Sequence, residues 1–141
     1  MKEKLHFQAI PLCTLILLWT YTGLEKIIRY EASRKAFRNQ TFPPELADLL
    51  SYSIPALELL LAFLLLFSVT RWWGYLGSIL LLTVFITYVG LIWVGAFPRV
   101  PCNCAGIIES LGWREHLVLN LIFLILACQG FYFRSNKKAE A

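Results

Sequence analysis

Four long apolar segments constrain this chain more than any other feature of its sequence. They cover residues 7–24, 49–70, 72–97 and 117–133, and Glu58 is the only charged side chain within them. A helix needs about 20 residues to cross the hydrocarbon core of a bilayer, with about 17 as the lower limit. Lipid tails cannot form hydrogen bonds with backbone N–H and C=O groups, so only helices and closed β-barrels can cross the hydrocarbon core. Four long segments cannot close a barrel. The sequence therefore predicts an all-α membrane protein.

The predicted architecture is a four-transmembrane-helix bundle that forms a single membrane domain. The helices are expected at about residues 7–28, 47–70, 72–97 and 113–133. Residues 30–38 mix charged and apolar side chains, which favours a short surface helix, and Pro43 and Pro44 are typical of the opening of the second long helix.

Composition excludes several other classes of protein. Apolar residues make up 58% of the chain and charged residues only 16%, whereas about a quarter of a soluble domain is charged. The Lys and Arg residues stand at the edges of the apolar segments and form no block, so the net charge of +4 indicates contact with membrane lipid and not with nucleic acid. Four cysteines in 141 residues are too few for a secreted disulfide scaffold.

Charge density favours one orientation of the bundle, and the cysteine pair described below favours the same one. Four spans place both termini on one side of the membrane, and the Lys and Arg residues divide almost evenly between the two sides. On the side of the termini they stand in short tails and one tight turn, which favours the cytoplasm under the positive-inside rule. We expect both termini to be cytoplasmic.

Glu58 is the one ionisable residue deep within a span, and it needs a partner there. Ser51, Pro55 and Ala62 share its helix face, and such a small, polar face packs against other helices. Lys26, near the outer end of the first helix, is long enough to reach Glu58. Two interpretations stay open: Glu58 carries protons, or Glu58 and Lys26 form a structural ion pair.

The fourth helix places Trp113, His116 and Asn120 on one face. Asn120 lies at membrane depth and needs a hydrogen-bond partner, so Asn120 and Trp113 are predicted as structural polar residues. His116 is either an interfacial residue beside an aromatic anchor or a base or proton donor for a nearby thiol.

Two further expectations concern packing. Thr83, Thr87 and Gly90 form a stripe of small and hydroxyl residues that predicts close helix contacts. Cys13 and Cys128 are expected to be small buried apolar residues, with a second redox pair as the alternative.

The segment between the third and fourth helices carries Cys102 and Cys104, which flank a single residue. They can close a disulfide, but the short ring is strained and therefore easily reduced. Two prolines and Gly106 favour a rigid turn that presents the pair. The pattern favours reversible redox chemistry at Cys102 and Cys104.

A metal site and a structural disulfide are the two alternatives to redox chemistry at this pair. A zinc site would need His116 together with Glu109 or Glu115, but this spacing matches no common zinc pattern, and no metal site is predicted. A structural disulfide across one residue removes almost no conformational entropy from the unfolded chain, so it would stabilise the fold very little.

The segments that contain Lys26, Glu58, the Cys102–Cys104 pair, and Trp113 with Asn120 resemble motifs of the MauE/DoxX family of four-helix bacterial membrane proteins. The resemblance covers most of the chain, and the motifs occur in the family's order on the corresponding helices. The matching residues are Gly23-Leu24-Glu25-Lys26, Ile54-Pro55-Ala56-Leu57-Glu58, Cys102-Asn103-Cys104-Ala105-Gly106, and Trp113 followed by Asn120.

The resemblance implies redox-associated maturation of exported proteins at a bacterial inner membrane. The chain would exchange thiols and disulfides with a periplasmic thioredoxin-like or disulfide-containing partner, with Cys102 and Cys104 outside the cytoplasm, where disulfides persist. Electrons would pass to or from a quinone or a second carrier, although the sequence contains no motif for either. Whether the chain is an enzyme, a thiol–disulfide oxidoreductase, stays open.

Two other functions are compatible with the same residues. One is a non-catalytic membrane subunit or chaperone with a structural Cys pair. The other is a proton-coupled transporter that uses Glu58.

Overall fold

The computed structural model describes residues 2–97 and 112–140 of the chain. Within these ranges all regular secondary structure is helical, which confirms the predicted all-α class. The helices are α1 (Lys2–Ile28), α2 (Tyr30–Arg38), α3 (Pro44–Leu66), α4 (Arg71–Trp93) and α5 (Trp113–Ala139).

Four of these helices are long and apolar enough to cross a membrane, as predicted. The candidate spans are His6–Ile28, Pro44–Leu66, Arg71–Trp93 and Trp113–Ala139. The first span ends at Ile28, the predicted end, and α2 forms the short helix predicted at residues 30–38. α3 begins at Pro44, earlier than the predicted start, because proline is well suited to the first turn of a helix.

α4 ends at Trp93, before the predicted end at residue 97. Gly95 has a φ of 74°, a left-handed conformation that suits glycine and stops the helix. The amide of Gly95 donates to the carbonyl of Ile92, and the amide of Ala96 donates to the carbonyl of Leu91 at 2.9 Å. This pair of bonds is the Schellman arrangement that satisfies the last carbonyls of a helix.

The four long helices form a ring in which α1 and α4 each contact both α3 and α5. Because the chain crosses back and forth, neighbours in the ring are antiparallel. α2, residues 39–43 and the first turn of α5 lie at one end of the bundle, which we call the loop end. The first and last described residues, Lys2 and Glu140, and the turn at residues 67–70 lie at the opposite end, which we call the terminus end. Which end faces the cytoplasm stays a prediction.

A buried tryptophan organises the core of the bundle. Trp19 is almost fully buried with Leu15, Leu65 and Leu82. Its indole Nε1 donates a hydrogen bond to Ser78 Oγ at 2.8 Å, so the large apolar ring is buried without an unpaired polar atom.

The predicted packing role of Thr83, Thr87 and Gly90 is wrong. Both threonines are exposed and donate to carbonyls one turn earlier in their own helix, and a Cβ added at Gly90 would have no neighbour within 4 Å. Close contacts occur instead at Gly74, against Leu65, and at Gly130, against Tyr75. The sequence showed a small-residue stripe, but only the tertiary structure decides whether a helix packs against it.

The expectation that Cys13 and Cys128 are buried is also wrong. Both are unbonded thiols on exposed helix faces, so in this structure they form no second disulfide. The buried face of α1 is defined by Pro11, Leu15 and Trp19. Cys13 is two residues from Pro11 and from Leu15, about 200° around the helix, and therefore points away from the core.

A carboxylate fastens α2 to α3. Asp48 accepts two hydrogen bonds from Arg34, at 3.0 and 3.1 Å, and two from Arg38, at 2.7 and 2.6 Å. These hydrogen bonds, together with the charge of Asp48, raise the pKa of both guanidinium groups above its usual value. Tyr30 stacks on Tyr52 with ring centroids 5.1 Å apart, which adds an aromatic contact between the same two helices. Together these contacts hold α2 over the loop end of the bundle.

Candidate functional site

A cavity of about 570 Å³ lies inside the loop end of the bundle, and we call it the loop-end cavity. Its size is within the range of small-molecule sites in proteins, about 300–1,000 Å³. The polar site residues predicted within the described part of the chain all line it: Lys26, Glu58, Trp113, His116 and Asn120. The structure therefore gathers side chains from three different spans around one volume.

The predicted contact between Lys26 and Glu58 is present on the cavity wall. Lys26 Nζ donates to Glu58 Oε1 at 2.7 Å and to Oε2 at 3.0 Å. The side chain of Glu58 is 1% exposed and that of Lys26 is 16% exposed. A charge buried in a membrane span is costly unless it is paired, and this pair neutralises both groups.

The local packing of α1 and α3 brings these two charges together. Gly23 faces α3, and a Cβ added there would come within 2.9 Å of the Leu59 side chain and 3.3 Å of the carbonyl oxygen of Pro55. The absence of a side chain lets the two helices approach closely. Because Gly23 and Lys26 lie three residues apart on one helix face, the close approach places the ammonium group beside Glu58.

The face of α5 supplies two further polar side chains. His116 is half-buried and Asn120 is 8% exposed, and they lie one turn apart. Among the described residues neither His116 Nδ1 nor Asn120 Nδ2 has a hydrogen-bond partner. Leaving a buried amide unpaired costs about 1–3 kcal/mol. Its presence at this position suggests a partner beyond the described side chains.

Apolar and aromatic side chains form most of the remaining wall. They include Leu18, Leu50, Ile54, Leu82, Phe85, Leu119 and Phe123. A small number of polar groups in an apolar wall is typical of sites that bind small molecules.

Gln40 and Tyr88 also line the cavity, and neither was predicted from the sequence. Tyr88 donates a hydrogen bond to Gln40 Oε1 at 2.7 Å and stacks on Phe42 with ring centroids 5.1 Å apart. These contacts hold residues 39–43 against α4. No local sequence pattern predicts the contact between Tyr88 and Gln40, because the two residues are 48 positions apart in the chain.

The predicted redox pair, Cys102 and Cys104, lies outside the described residues, as does Glu109. The flanks of that segment are described. Phe97, before it, contacts the Tyr88 ring with centroids 5.7 Å apart, and Trp113, after it, lines the cavity. Within the described ranges no group of three or more His, Cys, Asp and Glu residues is arranged to hold a metal ion.

Comparison with known proteins identifies a family. The family model described as methylamine utilisation protein MauE matches residues 4–133, nearly the whole chain. The matched range contains Cys102, Cys104 and the cavity residues. No curated protein and no solved structure matches the chain.

Proposed function

The chain belongs to the MauE family and is a multi-pass membrane protein; we propose that it is a thiol–disulfide redox protein for exported partners. Cys102 and Cys104 are the exchanging pair in this proposal. The proposed location is a bacterial inner membrane, with the pair on the periplasmic side, where disulfides persist. The partner is a periplasmic protein that is thioredoxin-like or contains a disulfide.

One observation carries the proposal: both flanks of the segment that holds the two thiols lie at the loop-end cavity. Phe97 contacts Tyr88, a cavity residue, and Trp113 is itself part of the lining. His116 follows within one turn of Trp113, and its Nδ1 has no partner among the described residues. An imidazole at this position is suited to take up and return the proton of a thiol.

The exchange runs through a mixed disulfide. A thiolate of the reduced partner attacks one sulfur of the Cys102–Cys104 disulfide, the S–S bond breaks, and the departing sulfur takes up a proton. The partner's second thiolate then attacks the mixed disulfide. The partner leaves oxidised, and its two electrons and two protons remain on the Cys102 and Cys104 thiols. The reverse sequence reduces the partner, and the relative reduction potentials set the direction.

Trapping the mixed disulfide tests the proposal directly. In the direction that reduces the partner, we expect the Cys102 thiolate to attack the partner's disulfide and Cys104 to resolve the adduct, since Cys102 is farther along the chain from the start of α5. Cys104→Ser should therefore accumulate an adduct with the partner, seen on a non-reducing gel as a band that disappears with reductant. Cys102→Ser should not accumulate it.

The other two cysteines provide matched controls. Cys13→Ser and Cys128→Ser should leave the band unchanged, because both thiols lie within membrane spans and face away from the core. If neither Cys104→Ser nor Cys102→Ser traps an adduct in cells that express the partner, the exchange function is wrong and a structural Cys pair replaces it.

A proton-coupled transporter is the second candidate, because a carboxylate that is 1% exposed lies on the wall of a cavity within the membrane. Glu58→Gln keeps the shape of the side chain but cannot carry a proton. Loss of function in Glu58→Gln, together with intact function when both Cys102 and Cys104 are serine, would favour transport over exchange.

A further inference from the structure

The basic side chains at the terminus end of the bundle differ from those at the loop end in how their charge is compensated. We propose that Arg71 of α4, together with Arg134 and Lys138 of α5, binds the phosphate group of an anionic phospholipid. We call these three side chains the basic cluster. The inference needs neither the loop-end cavity nor the exchange of thiols, so it can be tested separately from both.

Every ion pair among the described side chains lies at or near the loop end. The pairs are Lys26 with Glu58, Arg29 with Glu25, Arg34 and Arg38 with Asp48, and Arg114 with Glu115. Most of the positive charge at that end is therefore compensated within the protein.

The terminus end carries positive charge without such compensation. The basic side chains that the structure describes there are Arg71, Arg134, Lys137 and Lys138, and none of them forms an ion pair with a described carboxylate. Glu140 is the only acidic side chain described at this end. The excess of positive charge favours an anion from outside the chain.

Backbone carbonyls hold two guanidinium groups of the cluster against the same turn. Arg71 Nε donates to the carbonyl of Leu65 at 3.0 Å, and Arg134 Nη2 donates to the carbonyl of Ser68 at 2.6 Å. Because both carbonyls belong to the end of α3 and the turn that follows it, groups from two helices are brought to one place. Each guanidinium has more N–H donors than these bonds use, and the remaining donors suit the oxygen atoms of a phosphate.

Aromatic rings beside the cluster place it at the level of the lipid headgroups. Lys138 Nζ lies 5.9 Å from the centroid of the Trp72 ring, and Trp72 contacts Phe131 of α5 with ring centroids 5.4 Å apart. Trp73 and Tyr132, which follow Trp72 and Phe131 in the chain, are exposed. Trp and Tyr side chains are enriched where a membrane meets water. At this depth the phosphate of a lipid is the anion within reach.

The charge of the cluster selects one class of phospholipid. The headgroup of phosphatidylcholine carries a quaternary ammonium beside its phosphate, and the basic cluster would repel that cation. Phosphatidylglycerol has a phosphate and no cation, so it supplies the net negative charge that the cluster lacks. Lys and Arg side chains near a bilayer surface are attracted to anionic lipids for this reason.

Lipid retention by the purified full-length protein tests the site. The protein in neutral detergent is mixed with equal amounts of dioleoylphosphatidylglycerol and dioleoylphosphatidylcholine, and native mass spectrometry counts the molecules that stay bound. The wild-type protein should retain phosphatidylglycerol in preference. Arg134→Gln should weaken this retention roughly tenfold, because it removes a charged donor to the phosphate. Equal retention of the two lipids, or retention of neither, would overturn the inference.

The matched control is Arg114→Gln, which removes the same charge from the opposite end of the same helix and should leave retention unchanged. An equal loss in Arg114→Gln and Arg134→Gln would show that net charge attracts the lipid, and the site would be wrong. If Arg134→Gln fails to fold, Lys138→Gln takes its place, since it keeps the bond between Arg134 and Ser68. Its control is Lys35→Gln on α2.

Two further measurements separate the source of the phosphate and the role of the thiols. Excess inorganic phosphate should not displace phosphatidylglycerol, and displacement would overturn the lipid assignment in favour of a soluble anion. The variant with both Cys102 and Cys104 changed to serine should retain phosphatidylglycerol as the wild-type protein does. Loss of retention in that variant would contradict a site formed by the basic cluster alone, whereas failure to trap a partner would leave the lipid site intact.

Discussion

The charge of Glu58 is tolerated inside the membrane because Lys26 binds both of its carboxylate oxygens. The Glu58 side chain is almost fully buried on α3, whereas Lys26 comes from the loop end of α1 and its long side chain is partly exposed. Such a pair contributes little when intact, since desolvation offsets the attraction. Removing one partner is costly, because the other charge is left uncompensated.

Lys26→Met should therefore destabilise the protein by roughly 3–5 kcal/mol. The double variant Lys26→Met/Glu58→Leu should recover part of that loss, since it removes both charges. Thermal unfolding in detergent, followed by circular dichroism, measures the difference. Glu25→Gln is the control, because it breaks the more exposed pair with Arg29 and should cost less than about 1 kcal/mol. A Lys26→Met protein as stable as the wild-type protein would show that the pair does not hold the helices.

Close helix contacts in this bundle occur where a glycine faces a large side chain of a neighbouring helix. Gly130 on α5 is buried against Tyr75 of α4, whose side chain is almost fully buried. A Cβ at Gly130 would overlap the Tyr75 ring, and that ring has little space to move. Gly90 lies near the end of α4, and a Cβ there would meet nothing within 4 Å.

The same substitution at these two glycines should have opposite effects. Gly130→Ala forces the Tyr75 ring to shift and should destabilise the protein by about 1–3 kcal/mol. Gly90→Ala should be neutral or stabilise it by up to about 1 kcal/mol, because alanine loses less backbone entropy in a helix. Denaturant or thermal unfolding of both variants tests this difference. Equal stability of the two variants would contradict the α4–α5 contact.

The whole bundle has two chemically different ends. At the terminus end, Arg71 donates to the carbonyl of Leu65 at 3.0 Å, and Arg134 donates to the carbonyl of Ser68 at 2.6 Å. Lys138 lies over the Trp72 ring at the same end, 5.9 Å from its centroid. The loop end carries α2, the cavity and both flanks of the segment with the two thiols. The density of Lys and Arg near the terminus end, together with the cysteine pair between the third and fourth spans, is the reason to expect the terminus end in the cytoplasm.

Labelling of intact spheroplasts tests this orientation. After reduction, Cys102 and Cys104 should react with an impermeant thiol reagent, and a tag at Ala141 should be protected from external protease. The variant with both of these cysteines changed to serine should lose the label, because Cys13 and Cys128 lie within membrane spans. Reaction of Cys102 or Cys104 from the cytoplasmic side alone would reverse the orientation and contradict periplasmic exchange.

The sequence by itself determined the elements of this protein and the faces of several helices. A helix that crosses a bilayer requires about 20 apolar residues, so the number of spans and the all-α class follow from counting the apolar segments. The helical repeat then places Lys26 beside Trp19 and Gly23, and Glu58 beside Ser51 and Pro55, which was enough to predict their contact. Hydropathy was less informative at helix ends, where Pro44 and Gly95 set the boundaries.

Only the tertiary structure decided which faces are covered and what volume they enclose. Periodicity assigns Thr83, Thr87 and Cys13 to a face of a helix, but it does not say whether a neighbour packs there, and each of them proved to be exposed. The contact of Tyr88 with Gln40 and the cavity between the helices depend on distant segments meeting in space. In a membrane span both lipid and protein are apolar, so hydropathy cannot distinguish a lipid-facing side chain from a buried one.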